Sequence, residues 1–399
     1  MKTLLIDLLP YEHSTRTRKL GERLTAAAGV ACEAITLSQV GRVGIAGSEG
    51  DAVVDGVTVR KIATPAPAEG ASTRTAIINL ARTYPKAVAT LAWRAIRTPA
   101  EAIVVGHMSL FWIGLAHQKR YGSKILLNGR ECPGGINTKG SLGTAFSRVE
   151  PAVLKRLAGA EDLAVVAVCD GHADDFRALG VQTFVARNAP AAEFRSDFVP
   201  TPDEDVVRVA CVGSLYEGRA IELLIKATDA ARSTGARVVL EITGRGGAEY
   251  VTALKNLAAS CRHPEAIVFH EPCAPDEVPA AYHRVHVGTA LYEAVDEAND
   301  SLSNKIFESV VSGRPVLAGD LPENRRFVSE HGLGWLTDVT QEGLTNALLD
   351  IYARRDELPE LARAVHEVSR AFSWETESAP VVAWITGSAH LTDDETETQ

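Results

Sequence analysis

A chain of 399 residues is too long for one small core and accommodates two α/β domains of about 150 to 200 residues each. With 46% apolar residues, 23% charged residues and a formal charge of −10, it reads as a folded acidic protein, neither disordered nor fibrous. No lysine and arginine block offsets that charge, which argues against nonspecific binding to duplex nucleic acid, and no stretch has the roughly 18 to 20 apolar residues that span a bilayer.

The chain opens on "MKTLLIDLLPYEHSTRTRK", whose apolar run contains Asp7 and leads into charge, so it reads as a buried first strand and not as a secretion signal. Strands are expected at 3–9, 31–37, 101–106, 123–128, 163–168 and 182–186, with helices at 15–28, 71–97, 109–120, 150–160 and 172–179. Short Val/Ile/Leu runs between helix-length amphipathic segments are the pattern of buried parallel strands with crossover helices. The segment "RTYPKAVATLAWRAIRTP" (82–99) is a basic amphipathic helix carrying Trp93. It reads first as a covering helix with a wet basic face and second as a membrane-surface contact.

The pattern breaks at "NAPAAEFRSDFVPTPDED" (188–205), which is rich in proline and acid and reads as a domain linker. A second series follows, with strands at 206–213, 237–244, 266–270, 284–290 and 314–319 and helices at 218–233, 247–260, 276–282, 322–330, 340–353 and 355–371. A last helix, 374–387, carries Trp374 and Trp384. The domains are therefore expected at 1–188 and 206–371, joined by a linker at 189–205; a helix at 372–388 and a flexible acidic tail at 389–399 complete the chain. Two doubly wound sheets in series place ligands at the carboxyl ends of their strands.

The six cysteines are scattered without a CxxC, so neither a zinc knuckle nor a disulfide framework is suggested, and a reducing cytoplasm is expected. HExxH is absent as well.

The most informative stretch is "DSLSNKIFESVVSGRPVLAGD" (300–320). Ser303 fits a helix N-cap, which leaves the amides of Asn304 to Ile306 pointing out of the helix start, where phosphate binds well and Lys305 adds a point charge. Asp300 lies in the preceding loop, and Glu308 shares a helix face with Asn304. Without a ligand, Ser303 simply caps, Lys305 and Glu308 are solvated, and Gly313 with Pro315 ends the helix. Periodicity leaves both readings open.

The stretch resembles the signature of the retaining nucleotide-sugar glycosyltransferases of sequence family 4, which share the GT-B architecture. There an acidic residue, seven intervening residues and a glutamate lead into a small-Gly-x-Pro-Val run. Asp300 and Glu308 have that spacing, and "VSGRPVLAG" supplies the rest. The resemblance implies that Glu308 binds the donor ribose and that Asp300, with the amides around Ser303, Asn304 and Lys305, lies near the donor sugar. "VACVGSLYEGRAIELLIKA" (209–227) is similar to the family's first strand, loop and helix of the nucleotide domain, with Gly213 in the loop. Ser214 stands where the family usually has arginine, and Gly218-Arg219 replaces the usual Lys-Gly, so Arg219 is expected to carry the phosphate role alone or with Lys305. "EITGRGGAEY" (241–250) resembles the next glycine loop, where Gly244, Gly246 and Gly247 permit close backbone approach.

In the first domain, "AIVVGHMSLFW" and "KILLNGRECPGG" look like the family's paired cleft loops. They imply catalytic-side roles for His107 and Glu131 beside Asp300, and an acceptor-side role for Arg130. The loop "PYEHSTRTRKLGERL" lacks the family's Gly-Gly turn but puts His13 and Arg16 where acceptor or phosphate contacts are expected. Helix capping and salt bridging are the alternative readings of His107 and Glu131. His286 and Asp170 read as structural, the latter as a helix cap.

The resemblance implies an α/β fold of two doubly wound Rossmann-like domains facing across a cleft, with the C-terminal helix crossing back to the first. It also implies retaining transfer of a sugar, hexosyltransferase-like, from a nucleoside diphosphate sugar to a hydroxyl of a small molecule or glycan, without an essential metal, cofactor or nucleic acid. An Ala/Arg/Val-rich composition suggests a bacterial source. The alternatives are a noncatalytic nucleotide-sugar-binding or scaffold subunit, motivated by the missing basic pair, and a nucleotide-sugar epimerase.

Overall fold

The structure is a computed structural model that describes residues 1–27, 29–38, 51–64, 73–129, 151–203, 205–293 and 302–388. The chain divides into two compact units, Met1–Arg187 with Glu377–Gln399, and Asn188–Thr376.

The first unit runs β1 (Lys2–Asp7), a 3-10 turn (Tyr11–His13), α1 (Thr15–Ala26), β2 (Ala31–Leu37), β3 (Ala52–Val54), β4 (Val57–Ile62), α2 (Thr73–Arg97), β5 (Ala102–Val105), α3 (Phe111–Tyr121), β6 (Lys124–Gly129), the helical stretch α4 (151–156), β7 (Leu163–Ala167), α5 (Asp170–Ala178) and β8 (Gln182–Val185). Its sheet has the order β3-β4-β2-β1-β5-β6-β7-β8, and β3 alone is antiparallel to its neighbour. Leu4, Ile6, Ile35, Ile103, Val105, Ile125 and Val165 of the central strands are buried in one core, as a sheet covered on both faces requires.

The β3–β4 hairpin was not among the expected strands. Its turn is Asp55-Gly56 with φ of 51° and 77°, the left-handed pair that a two-residue hairpin demands. The signal was present in "VVDGVTV", where Asp-Gly separates two β-branched runs.

The second unit runs β9 (Val207–Val212), α6 (Ile221–Ser233), β10 (Val238–Thr243), α7 (Ala248–Ala259), β11 (Ile267–His270), α8 (Val278–His283), β12 (Val287–Ala290), α9 (Asn304–Val311), β13 (Val316–Gly319), α10 (Pro322–His331), β14 (Gly334–Thr337), α11 (Gln341–Ala353), α12 (Leu358–Val368) and α13 (Trp374–Thr386). Trp374–Thr376 of that last helix count with this unit, and the chain from Glu377 counts with the first. All pairings in its sheet are parallel, in the order β11-β10-β9-β12-β13-β14. Edge strand β14 is a second addition to the expected elements. Gly334 stands there because a Cβ would collide with the carbonyl oxygen of Val316 on β13.

The proline-rich segment 188–205 is fastened to the second unit. Arg314, without exposed surface, donates from Nη1 to the carbonyl of Val199 at 2.8 Å and from Nη2 to that of Pro200 at 3.2 Å. Ser196 Oγ bonds His283 Nε2 at 2.9 Å, and Pro202 O bonds His286 Nε2 at 2.9 Å. Lack of periodicity therefore reflects irregular backbone bonded to side chains, not a free tether.

Candidate functional site

In the second unit two loops leave the carboxyl ends of β9 and β10 and run against each other. A Cβ at Gly244 would strike the carbonyl oxygen of Gly213, and one at Gly246 would strike that of Leu215. Leu215 N donates to Arg245 O at 2.7 Å, and Leu215 and Gly246 form a parallel bridge. The glycines are needed for this approach of backbone to backbone.

The first loop turns Arg219 inward. Gly218 takes φ +93° and Ala220 takes +54°, a left-handed conformation that costs a non-glycine residue free energy, here at the start of α6. Glu293 N, past the end of β12, donates to Gly218 O at 2.8 Å and ties the turn down. Arg219 is only 3% exposed. Its Nη1 donates to Ser214 O at 2.9 Å and Val212 O at 3.3 Å, and its guanidinium lies 5.6 Å from the ring centre of Tyr292. Its Nε is buried without a hydrogen-bond partner among the described residues.

Helix α9 supplies the other wall. Ser303 is its N-cap and accepts from Lys305 N at 3.2 Å, while Tyr292 Oη lies 3.1 Å from Ser303 Oγ. Lys305 Nζ bonds both carboxylate oxygens of Glu308, at 2.6 and 2.8 Å. A Cβ on Gly213, which has φ +112°, would stand 2.8 Å from Lys305 Nζ and 3.5 Å from Arg219 Nη1. Gly213, Arg219, Lys305 and Glu308 are thus one cluster beside the glycine loops, with Gly244 beneath Gly213, Ser303 capping the helix and Asn304 exposed at its first position. Two cations, a helix N-terminus and a carboxylate within reach form a setting for an anion attached to a hydroxylated group. Among the described residues no group of His, Cys, Asp or Glu side chains converges to hold a metal ion.

Of the residues expected in the first unit, His107 follows β5 and caps the turn Met108–Leu110. Its Nδ1 accepts from Ser109 N at 3.2 Å and lies 2.7 Å from Ser109 Oγ. His13 is exposed on the turn after β1. Arg16 is buried: Nε donates to Asn128 Oδ1 at 2.8 Å, Nη1 to Ala186 O at 2.5 Å and Nη2 to Ala167 O at 3.0 Å. It bolts the carboxyl ends of β6 and β7 to the backbone just past β8. Arg130, Glu131 and Asp300 lie outside the described residues. The capping role expected of Asp170 is corrected: Cys169 holds the N-cap position of α5, and Asp170 pairs with Arg187 at 2.5 Å.

The sequence reading did not single out Tyr292 or the polar knot at Asp7. Buried Asp7 accepts from Ser14 Oγ at 2.5 Å, Thr17 Oγ1 at 2.7 Å and Leu9 N at 3.2 Å. A carboxylate inside an apolar strand, with hydroxyls 7 and 10 residues on, was the available signal. His286 is structural, accepting from Arg208 N at 3.0 Å on Nδ1. His270 pairs with buried Glu241 at 3.1 Å.

Residues 207–354 match the family described as Glycosyl transferases group 1. That match spans both glycine loops, Arg219 and the whole of α9. No curated protein matches the chain. Solved structures similar to it include sucrose-phosphate synthase from Thermosynechococcus elongatus, at 15% identity and TM-score 0.64, covering 96% of this chain and 97% of that one. The Anabaena protein HepE in complex with UDP and glucose aligns at 14% identity and TM-score 0.65, covering 97% and 99%. The lipopolysaccharide outer core galactosyltransferase WaaB in its apo form aligns at 13% identity and TM-score 0.65, covering 98% and 100%. The fold they share with this chain is a pair of parallel-sheet α/β domains, the GT-B fold.

Proposed function

We propose that the protein is a retaining glycosyltransferase of sequence family 4 that moves a sugar from a nucleoside diphosphate sugar to an acceptor hydroxyl. The observation that carries this reading is the convergence of Arg219 and Lys305 on Gly213, beside the capped start of α9 and the carboxylate of Glu308. It is supported by the glycosyl transferases group 1 match over that region and by the structural likeness to a protein solved in complex with UDP and with UDP-glucose.

In this reading the diphosphate lies beside Gly213, between Lys305 and Arg219, against the N-terminal amides of α9. Negative charge grows on it as the glycosidic bond breaks. Arg219 and Lys305, already oriented by the loop carbonyls and by Glu308, meet that charge with little reorganisation, so the main contribution to rate is electrostatic. Lys305 turns from Glu308 to phosphate when the donor arrives. Glu308 is then released to accept hydrogen bonds from two ribose hydroxyls. The leaving phosphate takes the acceptor proton on the face it departs from, which retains the anomeric configuration without a covalent enzyme intermediate. No resident cofactor or metal has a role in this scheme.

The test is a thermal-shift panel of UDP, GDP, ADP, CMP and dTDP and their common sugar conjugates, run on the wild type and on Glu308→Ala. One nucleoside diphosphate should raise the transition by mass action, and Glu308→Ala should remove most of that shift while leaving the unliganded stability within about 1 kcal/mol. Product analysis by NMR with the selected donor should show the donor's anomeric configuration preserved. Absence of any shift, checked by calorimetry, would sink the reading; binding without turnover over an acceptor series would leave a noncatalytic binding subunit.

A further inference from the structure

The first unit holds a cavity of about 460 Å³ that no part of the proposed transfer uses. Its walls are Arg60 and Lys61 of β4, Asp51 just before β3, and Trp93, Arg94 and Arg97 at the end of α2. Residues Arg94 and Arg97 stand three apart on one helix face, and the Arg97 guanidinium stacks 4.6 Å from the centre of the Trp93 ring. Trp93 is 56% exposed at the rim of this space.

The cations differ in how they are held. Lys61, buried, is paired with Glu12, and Arg60 pairs with Glu33 at 2.6 Å. Neither Arg94 nor Arg97 has a carboxylate partner among the described residues. Two unpaired guanidinium forks therefore border a concave space in a protein whose formal charge is −10. Guanidinium matches the geometry of phosphate oxygens bidentately, and a cavity wall exposes less of the ligand to competing water than a flat surface does. Asp51 would repel a bare anion but accepts hydrogen bonds from hydroxyl groups, and the open indole face suits the C–H side of a polyol or sugar.

We propose that this cavity is a second binding site, for a phosphate ester with a hydroxylated body: the phosphate between Arg94, Arg97 and Arg60, the hydroxyls on Asp51, and the carbon skeleton against Trp93. That chemistry is offered both by soluble sugar or glycerol phosphates and by the headgroup of a glycerophospholipid. The site is independent of the nucleotide reading, since its residues all belong to the first unit and the glycine loops to the second.

The test titrates the full chain by calorimetry with glucose 6-phosphate, sn-glycerol 3-phosphate, glycerol and inorganic phosphate. In parallel it measures co-sedimentation with phosphatidylcholine vesicles with and without phosphatidylglycerol. The comparison variant is Arg94→Gln with Arg97→Gln, both at surface-accessible positions, with its thermal transition and its response to UDP recorded as controls. Saturable binding of a phosphate ester, weakened at least tenfold in the double variant while the controls are unchanged, supports a soluble ligand. Binding only to vesicles with phosphatidylglycerol, with the same dependence on the two arginines, supports the lipid headgroup. Inorganic phosphate binding as tightly as the esters would overturn the role given to Asp51 and Trp93. Lack of binding in every arm, or equal binding by the double variant, would overturn the site. Trp93→Ala adds a check that leaves the cations in place: it should weaken the esters and not inorganic phosphate.

Discussion

At the scale of single residues, Arg314 shows how much structure one charged side chain can carry. Besides Val199 and Pro200, its guanidinium donates to the carbonyls of Val285 at 2.7 Å, Gly313 at 2.9 Å and His283 at 3.1 Å, and Arg314 itself has no exposed surface. Burial lowers its pKa to about 10, so it stays protonated at neutral pH. Arg314→Met should cost about 3 kcal/mol or more in urea denaturation, because it strands the buried carbonyls of Val285 and Gly313 and removes the bonds to three part-buried ones, and lysine should rescue little because it lacks the fork. Its place between Gly313 and Pro315 was visible, but a sequence does not show which carbonyls meet it. Gly244 makes the complementary case, in which the absence of a side chain is the functional feature. Gly244→Ala forces its loop away from Gly213, so it should abolish the nucleotide-induced thermal shift while costing about 1 to 3 kcal/mol of stability. Retention of a full shift in this variant would mean that the two loops do not hold the diphosphate.

Elements were legible where apolar periodicity was strong and less so where they were short. α9 was expected from its cap and its apolar face, and the structure gives it Ser303 as N-cap with Ile306, Phe307, Val310 and Val311 buried. Ser303→Ala should destabilise the second unit by about 1 kcal/mol, read in equilibrium unfolding, because an amide of the first turn loses its acceptor. It should also weaken nucleotide binding, since Ser303 is the partner of Tyr292. A loss of stability with undiminished binding would confine Ser303 to capping. β14 escaped notice because four residues carry too little pattern, and the glycine that admits it to the sheet edge looks in sequence like a turn. The β3–β4 hairpin is announced locally by Asp55-Gly56, but its antiparallel pairing departs from the parallel strand and crossover-helix pattern of the rest of the unit.

For the whole molecule, two buried histidines, His117 and His172, and the half-buried His283 set a direction for acid sensitivity. Burial lowers the pKa of His117 and His172 below the ordinary 6.5, and burial with the charges of Arg314 and His366 does the same for His283. His172 has neither ring nitrogen bonded among the described residues, and the nearby charge of Asp175 offsets the burial only in part. A group whose folded pKa is depressed binds fewer protons in the folded state. Stability is therefore full above about pH 6.5 and is lost as pH falls through the folded values. Thermal unfolding followed from pH 7.5 to 5 should show a falling transition temperature, and His172→Phe should flatten that slope. A slope unchanged in the variant would remove His172 from the acid response.

The sequence by itself determined the two α/β series, the strand and helix alternation, the cap at Ser303 and the glycines that let loops approach. These are local properties, written in period, propensity and missing side chains. It also marked Arg219, Lys305 and Glu308 through their motif spacing, although nothing in the spacing placed Arg219 against Gly213. Only the tertiary structure decided partners. It buried Arg16 among the carboxyl ends of strands, set Lys305 on Glu308, fastened the proline-rich segment to Arg314 and left Arg94 and Arg97 around an open cavity. A hydrogen bond or an ion pair between residues far apart in the chain depends on the path of the backbone through three dimensions, and no short window of sequence contains that path.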